Sequence, residues 1–371
     1  MELMTKYQYT YFIYPYLIEK DKYKKYLQGL LRNKKCNIRF FDKQKDIHLY
    51  TYFLPCVREY MFWSFELNKN GIKDFNSMDT AMQSTLLAQH ECNIFNYELP
   101  EALQGKVLDN NGIFFEINEI KIICFKTGVS FLLFKTNLEN MGNFADVLNF
   151  NYKFRDINQE GNNLRNYDNI KVQANSFENI EALQDFINNI TGPNIESLKL
   201  NLDIERFYTY SYTCIKQDVW NVSTSFDNIK NDFLKYVNIL SNDSNTNSVM
   251  CENSKVIGLS KYSKVGISKL GVNLLSSDCD INNYTVLPSE YENQYFYTYI
   301  LSLYLKVYLK KLNYEFKEGK DIEVTRKKFI DFTKKLWIQE ITSDDMGSLY
   351  YTYIKDVLEI EKLYNDVKNK Y

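Results

Sequence analysis

An apolar seam near the end of the chain restricts what this sequence can fold into. Between Tyr350 and Tyr371, apolar or aromatic residues recur at alternating spacings of three and four. This is the a/d pattern of a heptad, which predicts a helix that packs along another helix. Thr342, Ser343 and Asp344 form a capping stretch, so we predict that the helix begins at Asp344. The seam consists of Tyr350, Tyr353, Val357, Ile360, Tyr364, Val367 and Tyr371.

The seam has no stop signal. No glycine, proline or other C-cap residue closes it before Tyr371. We therefore expect the helix to continue past that residue as a stalk, with this chain as one part of a larger protein. A natural terminus with a frayed last turn is the alternative.

The rest of the chain divides into a strand-rich part and a helical part. The clearest hairpin is formed by two apolar runs, Gly112 to Lys126 and Val129 to Lys135, around a two-residue turn that contains glycine. We predict an α+β protein with a mixed α/β domain over residues 1–287 and a helical region over residues 288–371. The predicted helices of that region are Tyr291 to Leu312, Ile322 to Ile341, and Asp344 to the end.

Three aromatic and β-branched segments in the first sixty residues read as strands. Tyr7 to Ile18 is the longest, and Pro15 near its end favours an edge position or a strand that leaves the sheet. Cys36 to Phe41 and His48 to Leu54 are predicted as the next two strands.

The composition is that of a globular protein without a net positive charge. Hydrophobic residues make up 45% of the chain, aromatic residues 16% and charged residues 25%, which excludes general disorder. The formal net charge is −2, whereas nucleic-acid-binding domains usually carry a net positive charge or a basic face. We therefore expect no direct contact with nucleic acid.

The common catalytic motifs are absent from the sequence. The two histidines, His48 and His90, stand at no metal-ligand spacing, and the chain has no GxSxG, GxGxxG or P-loop pattern. We therefore expect a protein that is not an enzyme, with no catalytic residues and no protein-held metal. The alternative is a soluble, metal-dependent nucleotide-processing enzyme, which would hold its metal through acids such as Asp278 and Asp280.

Two weak binding patterns remain. Arg155, followed by Asp156 and close to Lys153, offers a planar guanidinium fork for a phosphate or carboxylate. The alternative for this group is a structural ion pair. Asp218, close to Trp220, places a carboxylate near an indole, a pair that suits a ribose or an adenine. A plain surface loop is the alternative there.

The sequence also bears on location. The longest apolar stretch, Tyr295 to Leu309, is shorter than the roughly 20 residues that a spanning helix needs, and it contains Lys306. It predicts a buried core helix. Seven scattered cysteines without CxxC spacing, and no signal-peptide pattern, indicate a reducing compartment and a cytoplasmic protein.

Several segments resemble divergent CorA-like membrane proteins. Phe332 to Tyr371 resembles the segment that precedes their membrane-spanning helices, and Leu287 to Leu312 resembles their long helix rich in Tyr and Leu. Tyr9 to Ile18 and Asp146 to Ile157 are similar to clostridial members. The family's Gly-Met-Asn signature, which follows its first membrane-spanning helix, has no counterpart in this chain.

The resemblance implies a cytoplasmic α/β/α sandwich-like domain whose stalk helix continues into a homo-oligomeric, usually pentameric, membrane pore. In the magnesium channels of the family this domain senses divalent cations, so Mg²⁺ is the one ion it suggests. In a divergent branch that accompanies type III CRISPR systems, the domain is a receptor for a nucleotide second messenger, a conjugate of S-adenosylmethionine and AMP, in antiviral defence. Because this chain is rich in aromatic residues and poor in acidic clusters, we favour a second-messenger sensor at the cytoplasmic face of the cell membrane. A Mg²⁺ transporter domain is the alternative.

Overall fold

The structure, a computed structural model, describes most of the chain. The described residues are 2–62, 69–99, 101–107, 112–139, 142–155, 170–174, 179–192, 207–246, 253–319 and 321–370. Asp156, one of the predicted site residues, lies outside them.

Twelve strands of the described residues form one mixed sheet. They run in the order β10-β11-β12-β9-β1-β6-β5-β4-β7-β8, with β3 also paired to β5 and β2 to β3. All pairs are antiparallel except β12 with β9. The strands are β1 Thr5–Leu17, β2 Cys36–Ile38, β3 Cys92–Tyr97, β4 Leu103–Val107, β5 Ile113–Phe125, β6 Val129–Leu138, β7 Ile170–Ala174, β8 Asn179–Ala182, β9 Tyr208–Ile215, β10 Lys255–Ser260, β11 Ser263–Ile267 and β12 Gly271–Ser277.

Helices lie between the strands and, above all, after them. They are α1 Tyr23–Arg32, α2 Ile47–Tyr52, α3 Pro55–Met61, α4 Lys69–Ser77, α5 Thr80–Leu87, α6 Phe144–Phe154, α7 Leu183–Thr191, α8 Lys230–Val237, α9 Asn282–Thr285, α10 Leu287–Glu290, α11 Phe296–Glu318, α12 Ile322–Leu336, α13 Asp345–Val357 and α14 Ile360–Lys368. A π-helical turn, Tyr291–Tyr295, leads into α11.

Each face of the sheet is covered by its own helical layer. On β1, Tyr9 and Tyr11 belong to one apolar core and Phe12 and Tyr16 to the other, since successive side chains of a strand point to opposite faces. The first core is shared with α2, α3 and α11–α14, and the second with α1, α6 and α8. The α+β prediction, with a sandwich-like α/β/α arrangement and a long helical region after it, is confirmed.

The predicted hairpin is also confirmed. β5 and β6 are antiparallel neighbours joined through Lys126, Thr127 and Gly128, one residue more than the predicted turn. The strand predicted over Tyr7 to Ile18 is β1, which pairs with β6 on one side and, from Thr5 to Ile13, with β9 on the other. Pro15 lies beyond this β9 ladder, and among the described residues its strand partner is Phe131 of β6, so only the part of β1 before it is internal.

Tyrosines on the sheet hold the entry to α11. Three sheet hydroxyls donate to backbone carbonyls of the helical layer: Tyr9 to Pro288 at 3.1 Å, Tyr210 to Tyr291 at 2.5 Å and Tyr212 to Asn283 at 2.5 Å. A buried phenol needs such a partner, because an unpaired hydroxyl in the core is costly. These bonds fix where α11 begins over the sheet.

The predicted terminal helix is two helices. α13 and α14 meet at Glu359, whose backbone is left-handed, with φ of 56° and ψ of 36°. Tyr350, Val357, Ile360 and Val367 of the seam are buried in the chain's own core. Both helices pack on α11, so within this chain α11 is the partner that the seam requires.

One predicted strand is wrong. Residues 48–52 of the segment His48 to Leu54 lie in α2, where Leu49 and Tyr52 are buried three residues apart on one helix face. The aromatic residues favour a strand locally, but packing against the helical layer decides the conformation.

The hydropathy of the described helices falls short of what a bilayer crossing would need.

The turn of the hairpin provides a test of the fold. Gly128 has a φ of 88°, and a Cβ there would overlap the carbonyl oxygen of Ile18. We predict that Gly128→Ala lowers the free energy of unfolding by about 2–4 kcal/mol, from left-handed strain and overpacking together. Urea denaturation measures this loss.

Gly192 is the matched control. Its φ is 79°, but among the described residues a Cβ there would meet nothing within 4 Å. Gly192→Ala should therefore cost only about 1 kcal/mol, from backbone strain alone. Equal losses in the two variants would contradict the importance of the close approach at Gly128.

Candidate anion-binding site

A cavity of about 540 Å³ lies between the sheet and the C-terminal helices. This volume is within the range of small-molecule sites, about 300–1,000 Å³. We call it the basic cavity, because five of its lining side chains are cationic and two are acidic. The charged residues are Arg155, Lys269, Lys306, Lys310 and Lys362, with Glu359 and Asp366.

Backbone hydrogen bonds hold the sheet side of the basic cavity. Arg155 follows the last turn of α6, and its carbonyl accepts from the N–H of Phe207 at 2.8 Å. The N–H of Thr209 donates to the carbonyl of Leu270 at 3.1 Å, which ties the β11–β12 turn to β9. Gly271 permits this approach, since a Cβ there would overlap Thr209. The backbone that carries Arg155 and Lys269 is therefore hydrogen-bonded to the ends of β9 and of the β11–β12 turn.

The floor is formed by α11. Lys306 and Lys310 are four residues apart and share one face of the helix. Lys306 is buried, with 9% of its surface exposed, and its ammonium lies 5.1 Å from the ring centroid of Tyr208. An ammonium over an aromatic face gains cation–π attraction, which helps a buried lysine to remain charged. The base of the cavity thus presents the Lys306 amine beside the ring of Tyr208.

The remaining wall is the junction between α13 and α14. The carboxylate of Glu359 lies 3.0 Å from Lys269 Nζ and 3.8 Å from Lys362 Nζ. The hydrogen bond from Lys269, with the positive charges of Lys269, Lys362 and Lys306, lowers the pKa of Glu359. Glu359 is therefore ionised at neutral pH.

The charges of the basic cavity do not balance. Among the described lining residues, five cations against two carboxylates leave a formal excess of three positive charges. Cations that converge from separate elements into one concave site suit a phosphate or another multiply charged anion, since each can donate a charge-assisted hydrogen bond. The apolar lining of Phe207, Tyr208, Leu270 and Leu363 offers a surface for a less polar part of such a ligand.

A second, smaller cavity of about 160 Å³ is also lined by lysines. Its lysines have partners within the protein: Lys311 donates to the Thr127 carbonyl at 2.8 Å, Lys335 lies 3.0 Å from Glu91, and Lys328 lies 2.7 Å from Glu315. This cavity is less than a third of the volume of the basic cavity and falls below the usual range of small-molecule sites, so the basic cavity is the better candidate for a ligand.

The structure separates the predicted site residues. Arg155 lines the basic cavity, whereas Lys153, in the last turn of α6, is not among its lining residues. Asp218 and Trp220 follow the opposite end of β9, a strand of eight residues that spans roughly 25 Å. Asp218 is exposed, and the Trp220 indole is buried against Phe226 with ring centroids 5.0 Å apart. Arg155 and Asp218 therefore do not share a site.

The acidic pair considered for metal binding, Asp278 and Asp280, has partners within the fold, as does Asp344. Asp278 lies 3.3 Å from Lys6 Nζ, and Asp280 accepts from the N–H of Asn282. Asp344 caps α13 by accepting from the N–H of Gly347 at 2.6 Å. Among the residues that the structure describes, no three His, Cys, Asp or Glu side chains are grouped to hold a metal ion.

Sequence patterns missed most of the basic cavity. Lys269, Lys310 and Lys362 are part of no motif, and Lys306 stood out only as a charge within an apolar helix. The available signal was Lys306, a lysine inside the long apolar run of a core helix, followed by Lys310 four residues later. The ammonium of a lysine on an apolar helix must reach polar surroundings, and here it lines the basic cavity.

Comparisons with known proteins identify no relative of this chain. No protein-family model matches this chain, and no curated protein and no solved structure matches it. The resemblance to CorA-like proteins therefore remains a prediction.

A pH dependence follows from His90, beside the smaller cavity. Burial, and then the charge of Lys126, lowers the pKa of His90 from 6.5 to about 4. The unfolded chain therefore takes up a proton at a higher pH than the folded protein. The stability that neutral His90 maintains is complete above pH 6.5 and is lost as the pH falls toward 4.

We predict that His90→Gln loses less stability than the wild type when the pH is lowered from 6.5 to 4. Urea denaturation of both proteins at the two pH values measures the difference. An equal loss in both proteins would show that His90 titrates normally in the folded state.

Proposed function

We propose that this chain is a receptor for a small phosphorylated ligand, a nucleotide, which binds in the basic cavity. The observation that carries the proposal is the convergence of Arg155 and four lysines, with a buried ammonium at Lys306, in a cavity of about 540 Å³. A nucleotide offers both parts that the lining suits, since its phosphates carry charge and its base is a flat, less polar ring.

The position of the cavity supports a sensing role. Its lining comes from the sheet, from α11 and from the α13–α14 junction. A ligand that contacts all three favours one arrangement of the helices over another, and that difference in affinity is what a sensor requires. Together with the resemblance to CorA-like proteins, this supports a second-messenger sensor that signals through its C-terminal helices to a membrane part, in a homo-oligomer.

A ligand panel tests the class of ligand. Thermal unfolding is measured with AMP, ATP, the S-adenosylmethionine–AMP conjugate, cyclic oligoadenylates and Mg²⁺ alone. A ligand at a hundredfold excess over its Kd stabilises the native state by about 2.7 kcal/mol, or roughly 3–4 °C in Tm for a chain of this size. We expect such a rise with at least one nucleotide, and the ligand recovered afterwards should be intact.

Conversion of the ligand during incubation would instead indicate an enzyme. A rise in Tm with Mg²⁺ alone would support the divalent-cation sensor. No shift with any member of the panel would contradict the receptor proposal.

Lys306 tests the location of the site. We predict that Lys306→Met weakens binding of the nucleotide about 10- to 100-fold, because a charge-assisted hydrogen bond is worth about 1.5–3 kcal/mol. The side chains have similar volumes, so the fold should be retained. Isothermal titration calorimetry gives the Kd.

Lys355 is the matched control. It is also buried, with 8% of its surface exposed, and its ammonium lies 4.8 Å from the ring centroid of Tyr351. It is not among the lining residues of the basic cavity. Lys355→Met should leave the Kd unchanged, and equal weakening in both variants would move the site elsewhere.

A further inference from the structure

Glu359 places an anion inside a site that is otherwise suited to receive one. Its carboxylate contacts Lys269 and Lys362, two of the five cations of the basic cavity. Lys269 stands on the β11–β12 turn and Lys362 in the first turn of α14. The carboxylate therefore joins the sheet to the terminal helix at the position that a ligand phosphate would take.

The backbone at this position does not call for glutamate. Left-handed conformations suit glycine or asparagine, and another residue there costs on the order of 1 kcal/mol. No side-chain hydrogen bond from Glu359 caps α14. What glutamate adds is the reach of its carboxylate to the two lysines.

The contact is weak enough to exchange. The side chains of Lys269 and Glu359 are each about half exposed, 48% and 47%. An ion pair that water reaches contributes little to stability, about 0–1 kcal/mol. A ligand can therefore take over both lysines at small cost, while a buried pair would resist it.

We propose that Glu359 is an internal competitor, which occupies Lys269 and Lys362 until a ligand with at least two negative charges displaces it. This inference rests on the proposed function, because it concerns selection at the same cavity. A singly charged ligand only replaces the Glu359 carboxylate, so its contact with Lys269 and Lys362 adds no net binding free energy. A multiply charged ligand replaces it and also reaches Arg155 and Lys306.

The test uses pyrophosphate as the probe and three proteins: the wild type, Glu359→Gln and Glu361→Gln. Glu361 is exposed, lies in α14 and does not line the cavity. Glu361→Gln therefore removes the same negative charge as Glu359→Gln, but outside the cavity. We expect Glu359→Gln to bind pyrophosphate about two- to fivefold more tightly than Glu361→Gln by titration calorimetry, as the loss of an exposed ion pair predicts.

The outcomes separate the two proposals. Equal Kd values for Glu359→Gln and Glu361→Gln, with binding still weakened in Lys306→Met, would overturn the competitor and leave the receptor proposal intact. Weaker binding by Glu359→Gln would also overturn the competitor, since Glu359 would then be a ligand contact. No binding of pyrophosphate by any of these proteins, and no binding of a nucleotide, would overturn both.

Discussion

The rest of the structure depends on the need to bury both faces of β1. This strand lies inside the sheet, and aromatic side chains project from it in both directions. A strand of this kind cannot leave either face to water, so one helical layer is required above the sheet and one below. On one face the layer is formed mainly by α11 and the helices that pack on it.

The same interaction positions the candidate site. Tyr9, Tyr210 and Tyr212 use their rings to fill the core and their hydroxyls to hold the backbone at the entry to α11. Because that entry is fixed, the lysines at 306 and 310 come to lie opposite Arg155 and the β11–β12 turn. The basic cavity is thus a consequence of how one helix is docked on an aromatic sheet.

Several features were readable because they have local causes. The hairpin of β5 and β6 follows from two apolar runs and a glycine turn, and the helical region follows from periodicity. For residues 48–52 the strand prediction is wrong, because aromatic residues are common both in strands and in buried helices. The burial of Leu49 and Tyr52 on one helix face distinguishes the two conformations. The left-handed residue at Glu359 was equally hidden, since the seam continues through it without a glycine.

By itself, the sequence determined the class of fold, the presence of a helical seam and one cation, Arg155, suited to a phosphate. The tertiary structure decided that the seam is satisfied by α11 and that Arg155 meets four lysines rather than Asp218. The physical reason is distance along the chain. Periodicity and turn chemistry act over a few residues, whereas positions 155, 269, 306 and 362 come together only when the sheet and its helices are packed.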